Sequence, residues 1–139
     1  MSMEKARQCL TYYLYSNFNT DYEIAYINGQ TLTPSGDEYI RETFIPAGDS
    51  NFTLGQGGEL ELVGIYQLDV FVKKGSGAGA HEAIITALKQ VFFTGAYLTY
   101  AGQRVRLDSA EQAGAYQDAD GWLQAVFSIQ FTTYDVKGV

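Results

Sequence analysis

The sequence predicts an α+β domain: a mostly antiparallel mixed sheet packed against two helices, with a long flexible Gly-rich loop between strands. Three observations carry that prediction. Apolar residues recur at spacings of three and four near residues 3–17 and 80–93, they alternate with period two in the stretches between, and Gly, Asn and Asp mark the joints. The chain has 139 residues, the length of one domain, and neither a repeat nor a linker divides it, so residues 1–139 are read as one unit.

Met3, Ala6, Arg7, Leu10, Leu14 and Phe18 follow helical spacing and predict a helix over 3–17 that ends in the turn chemistry of Asn17, Asn19, Thr20 and Asp21. Ile24 and Tyr26 mark a short strand over 23–27, closed by Asn28-Gly29, and the polar run from Gln30 to Asp37 with Pro34 reads as a loop. Tyr39 to Ile45 alternates and predicts a strand that Pro46 stops. Ala47 to Glu59 is polar and Gly-rich, with Phe52 and Leu54 its only large apolar residues, which predicts a mobile arm or binding loop.

Leu60 to Lys74 is the longest strand pattern. Leu62, Tyr66, Leu68, Val70 and Val72 share one face, Val63, Ile65, Asp69, Phe71 and Lys73 the other, and two largely apolar faces predict a central strand. Beyond the Gly75-Ser76-Gly77-Ala78-Gly79 break, Ile84, Ile85, Leu88, Val91 and Phe92 form one side of a helix over 80–93, which Gly95 ends. Tyr97–Tyr100 and Arg104–Asp108 flank Ala101-Gly102-Gln103 as a hairpin, whereas Ser109 to Gly121 is polar and acidic and is assigned no strand. In the last strand, Trp122 to Tyr134, Leu123, Ala125, Phe127, Ile129 and Phe131 face a core. Trp122, Gln124, Val126, Ser128, Gln130, Thr132 and Tyr134 face water or a partner.

Charge narrows the function classes. Nine Lys and Arg against sixteen Asp and Glu leave a net charge of -7, the wrong sign for holding many phosphates. One Cys and one His remove disulfide frameworks and zinc sites, and a solitary Cys9 suits a reducing cytoplasm. The charged N-terminus lacks the apolar run of a signal peptide and no stretch approaches 18 apolar residues, so a soluble, unexported chain without membrane contact is expected. Eleven Tyr, eight Phe and one Trp suit a sheet core, and equally a surface where proteins meet.

The chemical motifs fall short one by one. Gly75-Ser76-Gly77-Ala78-Gly79-Ala80 satisfies a dinucleotide fingerprint between a strand and a helix, but no acidic residue follows until Asp108, too late to hold a ribose, so a plain strand-to-helix turn is expected. His81 lacks a nucleophile and an orienting acid and is expected on the surface. Asp118-Ala119-Asp120-Gly121 echoes part of a calcium loop, yet Tyr116 and Phe127 stand where ligands belong, which leaves an Asp-Gly turn. Glu59 and Glu61 flank a strand start with no supporting groups. No catalytic residue, metal or cofactor is expected.

The N-terminal helix, the strand ending in Pro46-Ala47-Gly48, the Leu54-Gly55-Gln56-Gly57-Gly58 arm, the Gly64-Ile65-Tyr66-Gln67-Leu68-Asp69-Val70 strand, the Gly75-Ser76-Gly77 turn and the late Trp122 strand, in that order, resemble tail terminator-like proteins of long-tailed bacteriophages. That resemblance implies a non-enzymatic virion tail protein, assembled in the host bacterial cytoplasm. Copies would form a hexameric ring on the head-proximal end of the tail tube, stop tube polymerisation and offer a surface to head-neck connector proteins, while DNA passes the lumen without specific binding. Size agrees. A globule of this length is about 37 Å wide, so a ring of six leaves a hole of about 37 Å, and a duplex of about 20 Å passes it. Ring closure needs two different patches per copy, and the candidates are Phe52, Leu54, Gly57 and Gly58 in the arm and Trp122, Gln130 and Tyr134 on the last strand. The alternatives are another ring component, a tail tube or neck protein, or a small nucleotide-binding domain using the Gly75–Ala80 turn.

Overall fold

In the computed structural model, which describes residues 2–27, 34–51, 59–75 and 78–136, the chain runs α1 (Ser2–Phe18), β1 (Glu23–Ala25), β2 (Glu38–Asn51), β3 (Glu59–Lys73), α2 (Ala78–Val91), β4 (Tyr97–Tyr100), β5 (Gln103–Ala119) and β6 (Trp122–Val136). The strands form one sheet in the order β1-β2-β3-β6-β5-β4. Only β1 and β2 pair in parallel; every other pair is antiparallel. This is the α+β architecture that the sequence pattern predicts.

Both helices lie on one face of the sheet. The α1 stripe of Ala6, Leu10, Leu14 and Phe18 and the α2 stripe of Ile84, Ile85, Leu88 and Phe92 meet Ile40 of β2, Tyr66, Leu68 and Val70 of β3, Ala125, Phe127, Ile129 and Phe131 of β6, and Val105 and Leu107 of β5. Strand β3 is central, between β2 and β6, as its two apolar faces require. Its register with β6 runs unbroken from Glu59↔Val136 to Lys73↔Trp122, so odd and even positions keep to their faces along the whole pair. Gly64 is fixed by that packing. A Cβ there would come within 2.6 Å of the Phe131 ring and 2.9 Å of the Ile45 carbonyl, closer than atoms can approach.

One polar clamp crosses the covered face. The Glu42 carboxylate, nearly out of contact with water, accepts hydrogen bonds from Thr11 Oγ1 of α1 at 2.6 Å, from the Ile27 backbone N–H at 3.0 Å and from the Tyr66 hydroxyl of β3. A buried carboxylate needs such partners, and here they tie α1, the segment after β1 and the central strand to one point. The Tyr66 hydroxyl is pushed well above its ordinary pKa, first by burial and then by the Glu42 charge.

The structure corrects the expected boundaries in three places. Pro46 does not stop β2: a register shift between Pro46 and Gly48 absorbs it, and pairing to β3 resumes through Asn51. Because β1 covers β2 only along Tyr39–Arg41, the Pro46 nitrogen faces an open edge where a missing N–H costs little. Of the arm predicted over 47–59, residues 47–51 thus belong to β2 and Glu59 to β3, and 52–58 lie outside the described residues. Ser109–Gly121, assigned no strand, is mostly the distal half of β5, laddered to β6 through Ala119 with irregularities between Leu107 and Ser109 and between Ala113 and Gln117. Those irregularities break the alternation by which a strand is read from sequence. The β4–β5 and β5–β6 hairpins close on two-residue turns with positive φ at both positions, Ala101-Gly102 (50° and 81°) and Asp120-Gly121 (51° and 86°), the geometry favoured by right-handed strand twist.

Candidate assembly surfaces

The sheet face opposite the helices is uncovered by any described element, and its side chains build two different ends. At the end formed by the start of β2, the close of β3 and the start of β6, Tyr39 stacks on Phe71 with ring centres 4.5 Å apart and meets Trp122 edge-on at 5.0 Å. Arg41 lies 5.0 Å above the Phe71 ring and donates to Asp69 Oδ2 through Nη2 at 2.8 Å, while Gln67 donates to Asp69 Oδ1 at 2.9 Å. These partners satisfy the Asp69 carboxylate, whose side chain is fully buried on a nominally open face. The β5–β6 turn completes this end: Tyr39, Arg41, Phe71, Trp122, Asp118 and Asp120 line a groove of about 550 Å³. Lys74 pairs with Asp118 at 2.6 Å, both exposed.

The opposite end is cationic. Tyr97, Arg104, Arg106, Thr132 and Tyr134 line a groove of about 210 Å³. The Arg104 guanidinium lies 4.1 Å above the Tyr97 ring, and no carboxylate among the described residues pairs with it. Arg106 donates to Asp108 at 2.8 Å, and Asp108, the residue inserted at the first β5 irregularity, also accepts from Thr132 Oγ1 at 2.5 Å. The Asp108 carboxylate holds the Arg106 pKa above its ordinary value.

Of the residues that the sequence singles out for contact, Trp122, Gln130 and Tyr134 share this open face: Trp122 at the aromatic end, Gln130 exposed between the ends, and Tyr134 in the cationic groove beside Arg106. Phe52, Leu54, Gly57 and Gly58 lie outside the described residues. Sequence reasoning missed Tyr39, Arg41, Tyr97 and Arg104, because their pairing depends on cross-strand register. It also missed a tyrosine stripe beside α1, where exposed Tyr12 stacks on Tyr100 at 4.6 Å and Tyr15 meets Tyr26 at 6.1 Å.

His81 is a correction. It is fully buried, its ring stacks on Tyr116 at 4.8 Å, and since a carbonyl can only accept, its Nε2–H donates to Leu123 O at 2.7 Å. Its place one turn before Ile84 makes it the first residue of the buried α2 stripe, a structural rather than a surface position. The Gly75–Ala80 turn shows Gly75 at φ 93° with open space around it. No group of three or more potential metal ligands occurs among the described residues, and among them no helix is long and apolar enough to cross a membrane.

The described residues thus form a sheet with one face held by helices and the other left open. The family model for phage tail terminator proteins matches residues 5–131. The chain belongs to that family. Tail terminators are structural components of the phage tail, and membership makes this chain a virion tail protein that meets other tail and head components. None of the curated proteins matches the sequence significantly. One solved structure superposes with a TM-score of 0.70 over 94% of this chain and 93% of its own at 17% identity, a likeness of fold alone.

Proposed function

We propose that this chain closes into a hexameric ring on the head-proximal end of the tail tube, where it ends tube polymerisation and presents a joining surface to head-neck connector proteins. It acts by shape and makes or breaks no bonds. The observation that carries this reading is the open sheet face with unlike ends, since ring closure requires two different patches on each copy and a two-fold dimer would need only one. The net charge of -7 supports a lumen lined by carboxylates that lets DNA slide without sticking. Trp122, Gln130 and Tyr134, with Phe52, Leu54, Gly57 and Gly58 of the 52–58 arm, are the proposed contact residues.

Particle mass, measured with and without tail tubes, tests the reading. The purified chain is expected to remain a monomer or form a finite ring, and to add a single closed layer to tube ends. Growth into long cylinders would make it a tube protein, and failure to join any tube end would refute the proposal.

A further inference from the structure

We propose that the two ends of the open sheet face are complementary halves of a single interface between copies: the cationic groove of Tyr97, Arg104 and Arg106 on one copy receives the acidic β5–β6 turn, Asp118 and Asp120, of the next. The inference rests on the ring reading and supplies what that reading leaves open, the identity of the contacting patches.

Three observations meet in it. Trp122 and Tyr134 share the open face, having the same parity on a strand whose pairing with β3 has no irregularity, and Asp118, although paired with Leu123 of the covered parity, reaches that face at its rim, where it lines the groove with Trp122. The patches sit at opposite ends, since Trp122 and Tyr134 are twelve positions apart on β6, about 40 Å at the usual strand rise. They also differ in the manner of lock and key: one offers a guanidinium laid flat on a tyrosine with no described carboxylate partner, the other an exposed carboxylate with one surface lysine and a second at the turn tip. A pair of unlike patches at the two ends of a subunit is the arrangement that repeats head to tail until the rotation closes.

Charge makes the match more than formal. Two copies carrying -7 each repel at long range, so a stable contact has to concentrate what cations the chain has against carboxylates of its neighbour. Lys74 offsets Asp118 only weakly, because both groups are about half or more exposed to water, whereas a seated Arg104 on a neighbouring copy would be desolvated over the Tyr97 ring.

Sedimentation of full-length variants, alone and on tube ends, tests the match. Arg104→Glu and Asp118→Lys should each weaken self-association roughly 10-fold or more, with only a small shift of the thermal melt because each change removes one exposed pair. The double variant Arg104→Glu/Asp118→Lys, which restores opposite charges across every contact, should recover assembly to within about threefold of the original chain. Arg104→Ser, a milder change, should fall between the original and Arg104→Glu. If the single variants assemble as the original does, or the double variant fails to recover, the interface is wrong while the ring stands. If the original chain never assembles even on tube ends, the ring reading falls and takes this inference with it. Duplex DNA binding that Arg104→Glu abolishes, with assembly intact, would give the groove a different occupant and overturn the proposal.

Discussion

Along β6, Phe127, Ile129 and Phe131 lose all contact with water, while their immediate neighbours Ser128 and Gln130 keep theirs. The two sides of one sheet therefore stand on different physics. The helix-covered side is held by apolar area removed from water, with Glu42 as its polar pin, so its stability belongs to the whole cluster. The open side is held by local pairs, Tyr39 on Phe71, Arg41 on Asp69 and Arg104 on Tyr97, each confined to two or three neighbouring strands. A face built from pairs can be altered piecewise without unfolding the domain, and the exposed Arg41, Tyr97 and Arg104 stay available to a second molecule.

The contrast breaks most visibly in adjacent substitutions on β6. Phe127→Ala leaves a cavity between the sheet and the helices and should cost about 3–5 kcal/mol of unfolding free energy. Gln130→Ala, three residues on but facing out, should stay within about 0.5 kcal/mol. Urea unfolding of both variants measures the difference, and equal losses would mean that the open side is as much a core as the covered one. The next largest effect is alkaline. Burial pushes the Cys9 thiol up to about 12, and burial with the Glu42 and Tyr15 charges raises Tyr26 to about 12, while the unfolded chain ionises these groups near 9.0 and 10.0. Folded-state pKa values above the unfolded ones mean that the native state holds more protons, so this stability is complete below pH 9 and is lost as pH rises towards 12. Unfolding midpoints at pH 8, 10 and 11 should fall in that order, and Cys9→Ala should flatten the fall.

The covered side was legible in the sequence, and of the open side the facing of β6 was legible but the contact pairs were not, for one reason. Burial against helices writes a pattern within each strand, so the faces of β3 and β6 and the stripe of α2 can be read from residue spacing alone. Contact pairs on the open side join residues far apart in the chain: Tyr39 is thirty-two positions before Phe71 and meets it only because β2 and β3 align Tyr39↔Phe71. The distal half of β5 was hidden for a related reason, since Glu111, Gln112 and Gly114 are exposed, the residue inserted at Asp108 shifts the alternation, and the strand exists through its ladder to β6. Pro46 misled because an edge position and a local register shift remove the penalty that proline carries inside a sheet. His81 misled because a histidine's polarity hides its place on an apolar stripe, although its spacing of three from Ile84 was there to be read.

A smaller loss than that of Phe127→Ala gives the sharpest probe of the comparison. Tyr39→Ala removes one ring from a cluster of three, losing a stacked contact with Phe71 and an edge contact with Trp122, and should cost about 1–2 kcal/mol. Tyr39→Phe keeps both rings' geometry and should recover nearly all of that loss, since the structure assigns the stacking to the ring rather than the hydroxyl. Calorimetric melting of the two variants separates them. A loss for Tyr39→Ala as large as that of Phe127→Ala would show that Phe71 and Asp69 depend on this ring for the fold itself. The aromatic end would then be a second core, already satisfied within one copy, with nothing left for a neighbour to cover. A loss near the expected size leaves Tyr39 and Trp122 as rings that the isolated domain can spare, which is the condition for their use between copies.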